Sequence, residues 1–382
     1  MDKVYLSHNN IVSAYGFDSI SAVAQITNEV SSLRRTEDTT ILPQPFFSSR
    51  IQKESLEAKY SSLNPQEKHT RLEKMFVVSL SDTISSSNMK LTKRVGLIIS
   101  TTKGNIDALE KNNQFSDERA YLGILGEKIQ NFFGFKNEAI VLSNACVSGA
   151  LAVAIAKRYI NQGRFDHVFI VGGDLVTQFI LSGFNAFQAL SDEPCRPYCK
   201  SRSGINIGEV ATSVLVTKDK TGLVNEAVVV LGEASCNDAN HISGPSRTGE
   251  GLFRSVERAL KKARSNPDDI DFISAHGTAT MFNDEMEAIA FNRLGLQETP
   301  LNSLKGYFGH TLGASGLLET IIGMHSLNQN TLFVSKGFQE LGVSQPLNII
   351  EQNTKKEIKT FLKTASGFGG CNTAVIFQKV KL

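Results

Sequence analysis

The sequence predicts an α/β protein built from two similar halves, on three observations. Short runs of consecutive apolar, β-branched residues recur along the chain, as buried strands of a parallel sheet require. Helical segments lie between them, and strand, helix, strand is the crossover unit of such a sheet. The length, 382 residues, suits two domains or one large fold made of two halves, and 41% hydrophobic against 20% charged residues can close a large core.

In chain order, residues 30–75 are polar and charged and read as a surface excursion rather than core. Arg94 to Ser100 reads as a buried strand, as do Ala139 to Leu142 and His167 to Val171. Between the last two, Val147 to Asn161 is apolar nearly all round and then carries Lys157 and Arg158 before Gly163, the pattern of an interior helix with a glycine stop. The second half repeats the plan: Val224 to Glu233 as a strand, Gly251 to Arg264 as a helix, and Asp269 to Ser274 as a buried strand. Asn283 to Leu294 and Ala314 to Leu327 follow as helices, with Phe361 to Ala365 and Thr373 to Val380 as closing strands. The division falls between residues 1–218 and residues 219–382. A weak internal match pairs Ile140–Cys146 with Phe272–His276, each a strand running into a polar turn. It sets Cys146 and His276 at carboxyl ends of strands, where open α/β sheets bind ligands.

Charge and composition exclude several function classes. With 40 Lys and Arg against 38 Asp and Glu, the net charge is +2, and no basic face for nucleic acid is evident. The start, Met1 to His8, lacks a signal-peptide pattern, and the most apolar runs, Val168 to Val171 and Val228 to Leu231, are far too short to cross a membrane. Five Cys in a chain this long suit a reducing compartment, and a cytoplasmic location is expected.

Cys146 stands at the amino end of the predicted interior helix. A free thiol with a pKa of about 8.5 is only about 3% thiolate at pH 7, and a helix amino terminus is expected to raise that fraction. Cys195 and Cys199 are four apart in a loop, with no His or second Cys pair at zinc spacing, so no metal site is expected. Cys236 suits core or loop, and Cys371, beside the turn Gly367-Phe368-Gly369-Gly370, suits either packing or site lining. His276-Gly277 and Gly309-His310 put two imidazoles at element boundaries, able to donate N–H to an oxyanion or move a proton near pH 7. Lys305, five residues before His310, suits holding a carboxylate or fixing a His.

Four motifs, in this order and spacing, resemble the elongating β-ketoacyl-acyl carrier protein synthases over most of the chain. They are Asn144-Ala145-Cys146-Val147-Ser148-Gly149; His276-Gly277-Thr278-Ala279-Thr280 with Asp284 and Glu287; Lys305 with Gly309-His310-Thr311-Leu312-Gly313-Ala314-Ser315-Gly316 and Glu319; and Gly367-Phe368-Gly369-Gly370. The resemblance implies a thiolase-like fold, two similar α/β halves in five layers, normally paired as a homodimer or as a heterodimer with a related ketosynthase-like subunit. It implies Cys146 as the acyl-accepting nucleophile and His276 and His310 as the pair for malonyl decarboxylation. Lys305, Glu319, Thr278 and Thr280 support them, and Phe368 gates the acyl site. It implies an acyl carrier protein as partner, whose phosphopantetheine carries the substrates, and no cofactor of the enzyme's own. The rival readings are a thiolase and the non-catalytic chain-length partner of polyketide synthases; the His276-Gly277-Thr278 motif disfavours the first and Cys146 the second.

Departures from the family pattern carry two further expectations. Ser100-Thr101-Thr102-Lys103-Gly104 occupies a loop that is usually glycine-rich with an apolar residue toward the acyl tunnel, which makes Lys103 a candidate for that tunnel. Met281 replaces a usual Pro, and Cys199 a usual Asp. The basic run Arg196 to Arg202 suggests Lys200 and Arg202 as docking cations for an acidic carrier.

Overall fold

The computed structural model describes residues 3–111, 113–238, 242 and 244–381. Ten strands form the main sheet: β1 (Tyr5–Val12), β2 (Val95–Ser100), β3 (Ile140–Leu142), β4 (His167–Asp174), β5 (Val210–Thr217), β6 (Val228–Asn237), β7 (Phe272–Ser274), β8 (Leu301–Asn302), β9 (Thr360–Gly367) and β10 (Cys371–Lys379). Their spatial order is β8-β7-β9-β10-β6-β1-β5-β4-β2-β3. Outward from the middle, each side runs first, fifth, fourth, second, third in its own chain order. The senses match as well, antiparallel for the inner three strands of each side and parallel for the outer three. Only two residue pairs, Tyr5 with Val229 and Leu6 with Val228, join the two sides.

This duplication corrects the internal match drawn from the sequence. The strand before Cys146, β3, is third in its half and corresponds to β8, which precedes Lys305 and His310. The strand before His276, β7, corresponds to β2. Sequence similarity of two strand-to-turn junctions misaligned the halves because every parallel strand ends in a polar turn.

Residue alternation along the strands builds the layers. Ile98, Val168, Ile170, Val214 and Val216 face one core, together with Phe272, Phe361, Val375 and Phe377 from the other half. Between the two sheets lie helices α2 (Ser148–Asn161) and α6 (Ser315–Gln329), contributing Val153, Ile160, Leu317, Ile321 and Ile322. The opposite face of the first sheet, with Leu97, Ile99, Phe169, Val171 and Leu215, packs under α1 (Arg71–Ser87) and the helix Leu122–Phe133. The opposite face of the second, with Ile273, Leu362, Ala374 and Ile376, packs under α4 (Glu250–Ala263) and α5 (Met281–Arg293). Helix, sheet, helix, sheet, helix makes five layers, each apolar face finding a partner.

The strands and helices expected from the sequence are present, with β6 starting at Val228 and β7 at Phe272. Residues 30–75 differ from expectation. They hold two short strands and the helix Lys53–Ser61, and Leu33, Phe46, Leu56, Tyr60, Leu72 and Met75 are buried. The start of α1 falls there too, with Thr70 and Glu73 forming a capping box. Polar residues such as Glu73, which pairs with Arg119 and accepts from Asn105 Nδ2 at 2.9 Å, hid the apolar stripe. Lys157 differs as well: it is buried and bridges to Glu233 of the second half at 3.0 Å, rather than capping its helix in solvent.

Candidate active site

The amino ends of α2 and α6 meet where the halves join. A Cβ added at Gly149 would stand 2.6 Å from Leu317 N, and one at Gly316 2.5 Å from Ala150 N. Only glycines permit this approach, and it brings the loops before both helices together. Cys146 comes from the first loop, where Ala145, in the left-handed region at φ 45°, turns the chain from β3 into α2. The Ser148 hydroxyl fixes that turn, donating to Ala145 O at 2.7 Å and accepting from Asn144 N at 2.8 Å. His310 comes from the equivalent loop before α6. Its Nδ1 accepts the Leu312 N–H at 3.2 Å and lies 2.9 Å from Ser315 Oγ. An accepting Nδ1 leaves the proton on Nε2.

His276 follows β7 in a loop held by two buried carboxylates of α5. Glu287 accepts from the N–H groups of His276 (2.9 Å) and Gly277 (2.7 Å) and from the Tyr198 hydroxyl (2.9 Å). Asp284 accepts from the N–H groups of Thr278 (2.9 Å) and Tyr198 (2.7 Å). Burial raises the pKa of both acids, Asp284 to about 7. The Lys305 ammonium faces His276 Nδ1 at 3.5 Å, so this imidazole too presents Nε2–H to the site. Lys305 also donates to His276 O and to Glu319 Oε1 at 2.9 Å. The other carboxylate oxygen of Glu319 lies 2.5 Å from the ammonium of Lys363, which donates to Ser274 O and Ala275 O.

The Cys146 thiol and the two imidazoles place their reactive atoms within 4.8 Å of one another, all three residues buried. The imidazole planes stand at 80° with centroids 5.2 Å apart. Burial, reinforced by the positive charge of Lys305, holds both histidines well below the usual 6.5, so both are neutral at pH 7. Burial also pushes the Cys146 thiol up to about 12, with Cys371 adding to the effect and Lys305 and a backbone hydrogen bond from Phe368 opposing it. The expectation of a thiolate set by the helix end therefore gives way to a resting thiol, because burial disfavours the charged form. One thiol and two imidazoles suit a zinc ion by residue type, but the ammonium groups of Lys305 and Lys363 behind them oppose a dication.

The three residues line a cavity of about 450 Å3, together with Thr278, Thr280 and Phe368. The Phe368 ring leans on Phe184 of α3 (Gln178–Ala186) and on Phe187 just after it, with centroids 5.7 and 5.4 Å away. Cys371 is buried, its thiol donating to Phe368 O at 3.3 Å.

Two family models cover most of the chain. That for the β-ketoacyl synthase N-terminal domain matches residues 18–221, and that for the C-terminal domain residues 227–339. The chain belongs to the β-ketoacyl synthase family. Among similar proteins, 3-oxoacyl-[acyl-carrier-protein] synthase 2 of Rhizobium meliloti is 34% identical over 259 residues, 64% of this chain and 61% of that protein. The enzyme of the same name from Coxiella burnetii is 27% identical over 75% of this chain and 76% of its own. The chain superposes on solved structures at low identity, which bears on the fold. It matches the ishigamide ketosynthase/chain length factor with a TM-score of 0.89 at 22% identity over 100% of both chains. It matches the ketosynthase ApeO in complex with its chain length factor ApeC, from Xenorhabdus doucetiae, with a TM-score of 0.87 at 23% identity, covering 99% of this chain and 98% of that one. The fold is thiolase-like.

Two residues singled out from the sequence, Lys103 and Arg202, lie elsewhere than expected, while Lys200 is on the surface as expected. Lys103 is exposed and does not line the cavity; the loop turns inward through its backbone N–H and through Thr101 and Thr102, which donate to the buried Asp174. Arg202 is buried, its guanidinium donating to Cys199 O and Gly342 O and lying 3.8 Å from Asp284, so it cannot meet a carrier. Lys200 is exposed but paired with Glu340 at 2.8 Å. The sequence reading also missed Lys363 and Asp174. Lys363 had a signal, a lone cation inside the apolar strand Phe361-Leu362-Lys363-Thr364-Ala365. Asp174 ends β4 and ties the loop at Thr101–Thr102 to Gly313 N, 2.7 Å away, a contact no spacing announces.

Proposed function

We propose that the synthase performs a decarboxylative Claisen condensation between an acyl group held on Cys146 and a malonyl thioester of acyl carrier protein, giving 3-oxoacyl-acyl carrier protein in fatty acid or polyketide synthesis. One observation carries this reading: a buried thiol and two neutral imidazoles converge within 4.8 Å in the lining of a cavity. The Cys146 sulfur attacks the acyl thioester, its bond to the carrier sulfur breaks, and the thiol proton ends on the departing carrier. The tetrahedral oxygen is stabilised by the N–H groups of Cys146 and Phe368. The malonyl group then loses CO2, the electron pair of the broken C–C bond passing into a thioester enolate. Its oxygen takes hydrogen bonds from Nε2–H of His276 and His310, for which Lys305 and Glu319 hold the rings. Attack on the acyl-Cys146 carbonyl forms the new C–C bond and releases Cys146, which takes up one proton.

Thr278 and Thr280 suit the pantetheine amides, and Phe368 suits a gate between arm and acyl chain. The synthase needs no cofactor beyond the phosphopantetheine of its carrier. Its two halves, residues 1–218 and 219–382, contribute the nucleophile and the histidine pair. We place it in the cytoplasm, as a homodimer or a heterodimer with a related ketosynthase-like subunit; among the described residues no helix is long and apolar enough to cross a membrane. A non-catalytic chain-length role leaves the aligned thiol and imidazoles without purpose. Incubation with a labelled acyl carrier should label the wild type and leave Cys146→Ala blank. Labelling of Cys146→Ala, with loss of label in Cys371→Ala, refutes the assignment.

A further inference from the structure

Lys363 is fully buried in β9, on the face that Phe361 turns toward α6, and the condensation chemistry assigns it no step. Apolar residues in place of a buried ion pair are often as stable or more so, so packing alone does not explain its charge. Its ammonium meets three oxygens: Ser274 O at 3.0 Å, Ala275 O at 3.2 Å and a carboxylate oxygen of Glu319 at 2.5 Å. Both carbonyls belong to the two residues that precede His276. Asn302 of β8, Ser274 of β7 and Lys363 of β9 are register partners across the sheet, so their side chains turn to one face. Two buried oxygens of this row, Asn302 Oδ1 and Ser274 Oγ, have no hydrogen-bond partner among the described residues. The face gathers acceptors, and Lys363 is the cation that answers them.

The backbone at His276 is held from three directions. Glu287 takes its N–H, Lys305 its carbonyl, and Lys363 the two carbonyls before it. Glu319 links the two ammonium groups, one oxygen to each. Without Lys363, both carboxylate oxygens are open to Lys305, whose ammonium can then leave His276 Nδ1, 3.5 Å away, and free the ring to turn. We propose, resting on the condensation reading, that Lys363 is a positioning residue: its tethered ammonium fixes the end of β7 and the share of Glu319 left to Lys305, and so aims Nε2–H of His276 at the enolate oxygen. Its charge also adds to that of Lys305 in keeping both imidazoles neutral. Acylation of Cys146 uses the N–H groups of Cys146 and Phe368 and does not depend on it. The fold tolerates its loss, because Lys305 and Glu319 remain as a pair of equal and opposite charge.

The test separates the two half-reactions in Lys363→Ala and Lys363→Met. In both, CO2 release from malonyl carrier should fall about tenfold, less than the cost of losing an oxyanion donor outright. The fall should lie in kcat rather than KM, with the rate of Cys146 acylation within about twofold of wild type. Methylammonium chloride at about 50 mM offers a free ammonium to the space that alanine opens, and should restore Lys363→Ala about fivefold. Tetramethylammonium, which has no N–H to donate, and NaCl at equal ionic strength should not. Lys363→Met keeps the space filled and, like the wild type, should not respond to methylammonium. Unchanged CO2 release, or an equal fall in acylation, overturns the positioning role. A loss in Lys363→Ala that methylammonium leaves in place, or that NaCl restores as well, overturns the tethered cation as its cause. If Lys363→Ala does not fold, Lys363→Met decides alone by its kcat. Failure of the wild type to release CO2 from malonyl carrier overturns the condensation reading instead, and the positioning role with it.

Discussion

Glu319 is the one carboxylate shared by two fully buried ammonium groups, and its neutralisation gives the sharpest test of how the site is held. Lys305, Glu319 and Lys363 have side chains 1%, 3% and 0% exposed, and the carboxylate oxygens lie 2.9 and 2.5 Å from the two nitrogens. Glu319→Gln keeps the shape and removes the charge. What remains for the ammonium groups is backbone carbonyls: His276 O for Lys305, Ser274 O and Ala275 O for Lys363. Breaking a buried pair by removing one partner costs about 3–5 kcal/mol, about a fifth or more of the stability of a typical domain. Urea denaturation at pH 7 should show a loss of that size. Burial already holds the Lys363 pKa below 10.5, so the folded chain binds fewer protons than the unfolded one between the depressed value and 10.5. Stability contributed through this group therefore rises with pH across that window, and more so in Glu319→Gln, whose ammonium has no counter-charge. The gap between variant and wild type should narrow from pH 7 to pH 9.5, and Glu319→Gln/Lys363→Met should recover at least half of it. A loss under about 1 kcal/mol at pH 7, or a gap that widens with pH, refutes the reasoning.

Two other outcomes follow from the geometry. His276→Ala and His310→Ala should each retain Cys146 acylation while CO2 release from malonyl carrier falls about 100-fold or more, the cost of one oxyanion donor. Because both imidazoles titrate well below 6.5, they lose neutrality only when pH falls through those depressed values, so the one inflection in CO2 release expected between pH 8 and pH 6 is that of Asp284, raised by burial to about 7, and it should vanish in Asp284→Asn; a half-point near 6.5 that persists in Asp284→Asn contradicts it. Lys103→Ile should leave the acyl-chain preference unchanged in a competition assay with short and long primers, since the side chain points to solvent; a shifted preference returns Lys103 to the tunnel.

What was legible in the sequence divides along a physical line. Strands buried on both faces announce themselves as uninterrupted apolar runs, so β2, β4 and β9 stand out. Strand β1 carries Ser7, His8, Asn9 and Asn10 within eight residues and reads as loop, yet Ser7 and Asn10 are fully buried and paired, Asn10 Nδ2 to Phe17 O at 2.9 Å. Helix α1 is likewise broken by buried Glu73, Ser79 and Thr83, whose partners come from distant segments. The motif residues at the site were visible because glycines and histidines cluster at the turns. The side-chain directions of Lys103 and Arg202 were not, because a loop of fixed composition can turn either way and only Asp174 and Asp284 decide which.

The resting neutrality of the site bears directly on the proposed chemistry. By the time malonyl carrier enters, Cys146 is an uncharged thioester. With the thiol neutral until acylated and both imidazoles uncharged, the first charge to enter is the malonyl carboxylate itself. That carboxylate meets a pocket lined at this end by the buried side chains of Cys146, His276 and His310, which disfavours the anion and favours neutral CO2. The negative charge left behind moves to the enolate oxygen, where two Nε2–H groups wait and where Lys305, behind His276 at 3.5 Å, adds an attractive field. The same ammonium that keeps the histidines from taking a proton thus polarises them as donors. Its own desolvation is offset by Glu319 of α6, the helix whose first residue, Ser315, also holds the His310 ring, so one helix contributes both the charge balance and one of the two donors.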